Sequence, residues 1–541
     1  LPVAMQAICA WLRNDLRVHD NAVLHEAARL SAQRKVPVLP VYVFDPRYFK
    51  RTKYKTLRTG SLRALFLLQT VRALKRRLRR MGSDLLVKVG KPEKIFPQLL
   101  STDSVVLTQQ EVTSAELTID SWVRLGWETT SNARSDPCSL TYCWGSTLFH
   151  KDDIGFKNGF DDVPERFSKF LQQLQQVWPK YSDEDWDETS NDSNVGPDLW
   201  RISRLIRPPL PELTSLGPVP ESIDFDFEPT WKDLPYAEKV NEPLPDKDMM
   251  GGEEHGLERL QDYVWHTDFA STYFPERQQF FGDYMASRLG PWLAVGALSP
   301  RQVFFECLRL CEEKELPDAS RHARHLITEL TWRDFFRFYA GKHGSDIFRE
   351  GGVKNYKRHW MQDERIFHLW SNGRTGYPLV DACMRELSIT GYASNHARLN
   401  ADSFMAYTMS FDWRRGADWF ESHLIDYDVT SNWCNWVRCA GLTEGRLSSF
   451  NVVRQSRKFD PEGFYLRRWR PELQKVPSEL LHEPWLMTSE ELSTYEAESY
   501  PPPCVDPSFF EGPYGPRHGW AMIPQSLYKT EKNDARVNQL M

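Results

Sequence analysis

The segment Leu424–Trp436 (LIDYDVTSNWCNW) gathers side chains that could do chemistry together. Asp426 and Asp428 offer two carboxylates, Asn432 an amide, and Trp436 an oxidisable indole one helical turn later. Taken alone, Asp428, Thr430, Ser431 and Asn432 read as a helix N-cap run. Tryptophan is in excess, 20 of 541 residues, roughly two to three times common usage. For any single indole, core packing is the ordinary explanation. The nine cysteines are scattered and form no CxxC pair, so neither a disulfide framework nor a zinc site is indicated. Cys307 and Cys311, one helical turn apart, read as buried structural thiols.

The elements that must position these residues divide the chain. Apolar runs at Ile8–Leu12, Val36–Phe44, Leu85–Val89 and Val105–Leu107 alternate with helical stretches, notably Leu62–Met81. That order predicts a Rossmann-like α/β domain over 1–150, with a parallel five-stranded sheet. Its sites should lie at the carboxyl ends of strands. No GxGxxG follows the first strand, so a dinucleotide fingerprint is absent. Lys75-Arg76-Arg77 and Arg79-Arg80 close the long helix and read as a solvated, dipole-complementing face. Residues 151–250 form a connector, acidic from Tyr181 to Asn194 and then proline-rich from Pro208 to Pro220. Helical periodicity from Gly251 predicts an all-α domain over 251–495. The extension 496–541 opens with Tyr500-Pro501-Pro502-Pro503 and is expected to be mobile.

Charge and hydropathy bound the function. A net charge of −6 excludes a wholly basic nucleic-acid binder but permits a local basic groove. No apolar run is long enough for a membrane span. The chain begins at Leu1, which leaves room for a trimmed leader and its targeting information.

Several ordered motifs resemble the photolyase/cryptochrome family. They are Trp11–Arg17, Pro291-Trp292-Leu293, Glu329–Phe335, Thr375–Leu387 and the Leu424–Trp436 segment itself. The resemblance runs from about Ala7 to Trp485. It is closest to the DASH and plant-like branch, on Ser422–Asn435, Gly441-Leu442-Thr443, Gly445-Arg446 and Phe450–Val453. It implies a U-shaped FAD lined by Asp426, Asp428 and Asn432, with Arg398 pairing Asp426 and Asn395 near flavin and substrate. Asn432 would face flavin N5. An amide cannot supply a proton as a carboxylic acid can, but it can hydrogen-bond N5–H and favour a long-lived neutral semiquinone. The phosphate contacts implied are Ser287, Arg288 and the backbone at Leu289, with Tyr273 and Arg333 as further candidates. Two hydroxyls of the family's usual stretch are missing here.

By the same resemblance Trp436, Trp413 and Trp360 form an electron-transfer chain, from flavin-proximal through intermediate to near-surface. Glu111 matches the carboxylate that binds a methenyltetrahydrofolate antenna, although a solvated loop carboxylate and a deazaflavin antenna are alternatives. Two functions follow. One is a blue-light receptor acting on a signalling partner that the sequence does not identify. The other is a cyclobutane-dimer photolyase, with Glu329 and Trp332 at the substrate and activity restricted to single-stranded DNA as one form of it. Arg438 stands where those enzymes carry their second clamp residue, and Asn395 where 6-4 repair enzymes carry a histidine. Asn395 thus argues against 6-4 repair, while Arg438, the C-terminal extension and the acidic balance favour the receptor, with weak DNA binding still compatible. Arg454, Arg457-Lys458 and Arg467-Arg468 could face DNA or only solvent. Nucleus and plastid both fit the branch, and no metal is expected.

Overall fold

A computed structural model describes residues 5–130, 139–176, 205–217, 219–220, 223–234, 249–266, 280, 286–314, 319–444 and 450–510. Tyr273, the acidic stretch Tyr181–Asn194, Gly445-Arg446 and the extension past 510 lie outside these residues. The chain divides into two compact units. The first comprises Leu1–Phe274, Ser287–Ile347 and Glu421–Cys434, and the second Pro275–Ala286, Phe348–Phe420 and Asn435–Met541.

The first unit holds the predicted sheet. Its strands are β1 (Ile8–Leu12), β2 (Val38–Phe44), β3 (Leu86–Val89), β4 (Val105–Gln109) and β5 (Ser139–Cys143), in the order β3-β2-β1-β4-β5. All pairings are parallel. β1, β2 and β4 are buried along their whole length, as a sheet covered on both faces requires. β5 is the polar, half-exposed edge strand, with no apolar run to announce it. Helices α1 (Ala22–Arg34), α2 (Ser61–Arg80), α3 (Pro92–Leu99) and α4 (Ser114–Thr130) connect the strands. Asn21 caps α1 by accepting from Leu24 N at 3.0 Å. Trp11 meets Phe96 edge-on at 5.1 Å, and Phe96 stacks on Trp127 at 5.9 Å.

The basic end of α2 is exposed at Arg76, Arg79 and Arg80, as a solvated face requires, and departs from that reading at Lys75. Lys75 is only 1% exposed, and its ammonium bonds Asp84 Oδ1, Leu85 O and Phe225 O. A buried ammonium requires such a full set of acceptors. Arg77, Arg79 and Arg80 pair with Glu212, Asp84 and Glu254.

The second unit is helical among its described residues. Its helices include Glu364–Ser371, Pro378–Thr390, Asn395–Ser403, Val452–Phe459 and Phe464–Trp469. The helices Trp413–His423 and Val429–Cys439 have residues in both units. The described start of the C-terminal extension is packed, contrary to the expected mobility. Tyr500 OH donates to Asp381 Oδ2 at 2.8 Å, Cys504 N to Thr375 O at 2.8 Å, and Tyr377 OH to Val505 O at 2.9 Å. Proline-rich sequence prevents a helix but not docking, since side chains such as Val505 and Phe510 still find a core.

Candidate functional site

The first unit carries the carboxylates of the Leu424–Trp436 segment. Asp428 caps the helix Val429–Cys439: its Oδ1 accepts from Ser431 N and Thr430 Oγ1, both at 2.7 Å. Burial alone would raise its pKa. Facing Arg333 and accepting these hydrogen bonds, it is instead held below the ordinary carboxylate value. It is therefore a standing negative charge near neutral pH. Asn432 is buried one turn on. Asp426 lies against Gly290, where a Cβ would come within 2.9 Å of Asp426 Oδ2. The Ser287–Gly290 stretch is thus brought to the acidic segment. Within it, Arg288 adopts a left-handed φ of 55° and Ser287 O accepts from Arg259 Nε at 3.1 Å. Leu289 is buried. Arg333, a candidate phosphate contact, donates to Ser146 O and Leu293 O.

The second unit carries the indoles. Trp436 is 1% exposed and packs on Gly416, where a Cβ would fall 2.1 Å from the ring. Only glycine permits this approach. Trp413 is fully buried and donates from Nε1 to Glu350 O at 3.1 Å. Trp360 lies beside the exposed His359. Trp360 itself is 4% exposed, with the Arg358 guanidinium 4.4 Å from its ring centroid. Trp370 was not singled out by sequence reasoning. Its ring meets Trp436 edge-on at 6.0 Å, and its Nε1 donates to Ala401 O. The spacing Phe367-x-x-Trp370 on one buried helix face was the available signal.

Asn395 is exposed at the start of the helix Asn395–Ser403, which Ser394 caps. Arg398 donates to Ala393 O at 2.7 Å and lies 5.0 Å from the Tyr392 ring centroid. His396 is engaged elsewhere, with Gln455 at 2.8 Å and between Phe280 and Phe459. Three buried polar atoms of the second unit have no hydrogen-bond partner among the described residues: Asn400 Oδ1 and Asp402 Oδ1 on the helix Asn395–Ser403, and Trp436 Nε1 on the helix Val429–Cys439. A buried orphan of this kind calls for a polar ligand or water.

Asp402 is 3% exposed, and burial pushes its carboxyl well above the usual range against the opposing pull of Arg398. Its folded value exceeds its unfolded one. Its contribution to stability is therefore complete below the unfolded value and is lost as pH rises through the folded one. Asp402→Asn should remove that penalty. In urea titrations at a series of pH values, the variant's advantage should grow by about 1.4 kcal/mol per pH unit above roughly pH 4.

A cavity of about 160 Å³ opens within the first unit at the carboxyl ends of β1 and β2, where the topology places a site. Trp11, Tyr42 and Tyr48 give it aromatic walls, and Arg58, Glu111 and Arg337 line it with charge. Glu111 is not a solvated loop carboxylate. It is buried, with Arg337 Nη2 donating to Oε2 at 2.8 Å and Asn14 Nδ2 to Oε1 at 3.3 Å. Each oxygen retains further acceptor capacity toward the cavity.

Trp332 is half-buried and stacks on Phe167 at 3.8 Å, with planes 12° apart. Phe167 opens a helix (Phe167–Gln176) inside the expected connector. Glu329 is exposed on the same long helix as Trp332, and Arg438 is half-buried. Arg457 pairs with Glu483, and Arg467 bonds backbone at Val476 O, so neither is simply solvated. Cys307 is a buried thiol whose pKa burial pushes up, and no metal-binding cluster occurs among the described residues.

Residues 326–509 match the family described as the FAD binding domain of DNA photolyase, and residues 8–187 match DNA photolyase. A relative described as "Cryptochrome DASH, chloroplastic/mitochondrial" from Ostreococcus tauri is 38% identical, covering 95% of this chain and 93% of its own. "Cryptochrome DASH" from Synechocystis sp. is 37% identical, with coverages of 92% and 95%. The solved Synechocystis cryptochrome superposes with a TM-score of 0.80 at 36% identity, covering 94% of this chain and 98% of its own. A photolyase from Sulfolobus tokodaii, solved with two FAD molecules, shares the fold at a TM-score of 0.68 and 24% identity, with coverages of 93% and 96%. With these likenesses running through both the sheet and the helical part, the chain belongs to the photolyase/cryptochrome family and is an FAD-binding flavoprotein.

Proposed function

We propose that the chain is a blue-light receptor of the cryptochrome type, in which buried indoles would pass an electron toward a bound FAD. The observation that carries this is the burial of Trp436 on Gly416 beside further buried tryptophans. The orphaned atoms at Asn400, Asp402 and Trp436 fit a bound polar cofactor. Asp428 supplies fixed negative charge. Asp426, Asn395 and Arg398 serve as cofactor contacts, with Ser287, Arg288 and the Leu289 backbone toward the phosphates. Bound FAD supplies the light-absorbing oxidant. Asn432 holds, but does not donate, a proton at flavin N5, because an amide is not an acid near neutral pH. Trp436, Trp413 and Trp360 relay the electron, and a signalling protein reads the result.

Glu111 and the aromatic cavity are the proposed seat of the folate antenna, the carboxylate accepting from the pterin's amino and ring N–H groups. The Ostreococcus relative's description, chloroplastic/mitochondrial, favours an organellar over a nuclear residence. The repair reading keeps one specific support: Trp332 is an aromatic platform backed by Phe167, the kind of surface on which a base stacks. Weak single-stranded DNA binding is compatible with both readings. The test of the receptor reading is blue-light illumination of the purified, flavin-loaded chain with an external reductant. Reversible bleaching of the oxidised flavin, together with a light-dependent change in proteolysis pattern, supports it. Bleaching without any change in the protein contradicts it.

A further inference from the structure

The last indole of the relay sits in an unusual electrostatic setting. The Arg358 guanidinium lies 4.4 Å from the Trp360 ring centroid and is anchored by Nη1 donating to Ala440 O at 3.1 Å. Trp360 itself is almost fully buried, and its Nε1 has no hydrogen-bond partner among the described residues. The following backbone is pinned, with Met361 N donating to Ser410 O and Asp412 N to Met361 O. The indole therefore cannot easily swing away from the cation.

A cation over the face of a neutral indole is attracted to it. An indole that has lost an electron is positively charged, so the same contact becomes a repulsion, strengthened by the low dielectric of a buried site. A positively charged indole can relax by releasing its Nε1 proton, but here no acceptor touches that atom. Trp413 differs, because its Nε1 already donates to the Glu350 carbonyl, and a charged donor strengthens such a bond. The inner indole is thus the better place for the missing electron, and the outer one the worse.

We propose that Arg358 is a brake on the relay: its guanidinium disfavours positive charge on Trp360 and keeps the electron hole on Trp413 and Trp436. The inference rests on the relay proposed above. The step it controls is a single electron passing from Trp360 to oxidised Trp413. Trp413 returns to neutral, Trp360 takes the positive charge, and no bond is made or broken. The oxidant is the light-excited flavin that begins the relay. With the last transfer disfavoured, the charge returns to its origin more often, and each absorbed photon yields less lasting photoreduction. The contact therefore sets the light dose at which the protein responds. Arg358 acts through Trp360 and is a positioning residue, not a catalytic one. Tyr407, whose ring centroid lies 6.0 Å from the same guanidinium, also faces it.

The experiment compares the flavin-loaded full chain with Arg358→Met, Arg358→Lys, Trp360→Phe and Trp413→Phe by transient absorption and electron paramagnetic resonance. Arg358→Met should lengthen the life of the charge-separated state by about tenfold, equivalent to ~1.4 kcal/mol, with the radical signal moving to Trp360. Arg358→Lys, which keeps the charge, should stay near wild type, and Arg358→Met/Trp360→Phe should lose the gain. The one-electron potential of Trp360, read in the dark by pulse radiolysis, should fall in Arg358→Met only. An unchanged lifetime and potential in Arg358→Met, with Trp413→Phe still impaired, would overturn the brake and leave the relay standing. Photoreduction untouched by Trp413→Phe would overturn the relay and the brake together.

Discussion

Trp436→Phe is expected to keep its flavin and lose its photoreduction. The ring is almost fully enclosed, with Gly416 on one side and Trp370 and Phe420 packed edge-on against it. Phenylalanine fills most of that volume, so the packing loss should be modest. Phenylalanine is also much harder to oxidise, so the first electron transfer loses its donor. The rate of blue-light bleaching should fall by about a hundredfold, equivalent to ~2.7 kcal/mol of barrier. Flavin content per chain should stay near wild type. Trp370 offers a nearby substitute donor, which is why the loss is large but not total. If bleaching proceeds at the wild-type rate, Trp436 is a core residue only.

Arg337→Met should strongly destabilise the first unit. Both Arg337 and Glu111 are about 5% exposed or less. The guanidinium also donates to Gln110 O at 2.7 Å and lies 5.4 Å from the Trp144 ring centroid. Methionine fills the space but leaves the Glu111 carboxylate buried with only Asn14 to bond it. Breaking one side of a buried ion pair costs about 3–5 kcal/mol. Glu111→Gln in the same chain should restore much of that loss, because the stranded charge is gone. Denaturant titration followed by the emission of the first unit's tryptophans measures both. If the double variant is no more stable than Arg337→Met, the loss lies in packing on Trp144 rather than in the charge. Glu111→Gln alone should also weaken folate binding, since an amide cannot accept from two pterin N–H groups as a carboxylate does.

The fold was legible wherever one physical requirement dominated the local sequence. β1, β2 and β4 are buried on both faces and therefore appear as uninterrupted apolar runs. α2 was readable almost to its ends because its apolar residues recur at helical spacing. β5 was invisible as a run because an edge strand needs only half its surface covered. Ordered motifs single out the candidate site residues, but their surroundings were not legible. Glu111 and Arg337 are 226 residues apart. Lys75 looks like part of a basic surface until Asp84 and Phe225 O fold onto it. Trp360 looks like an exit to solvent until Arg358 covers it. Phe167 lay in a segment read as connector, yet it stacks on Trp332. Each of these is decided by a partner from elsewhere in the chain, and local periodicity carries no record of it. The packed start of the extension was missed for a related reason. Prolines mark the absence of regular structure, not the absence of a binding groove for Tyr500 and Phe510.

The receptor reading and the repair reading part at the substrate. The direct measurement is light-driven reversal of cyclobutane pyrimidine dimers in single- and double-stranded oligonucleotides, using photoreduced, flavin-loaded protein. A receptor should show no turnover on duplex DNA, at most slow turnover on single strands, and persistent photoreduction of the flavin in the same samples. Efficient turnover on duplex DNA, lost in Glu329→Ala and Trp332→Ala, would contradict the receptor reading and make the chain a photolyase.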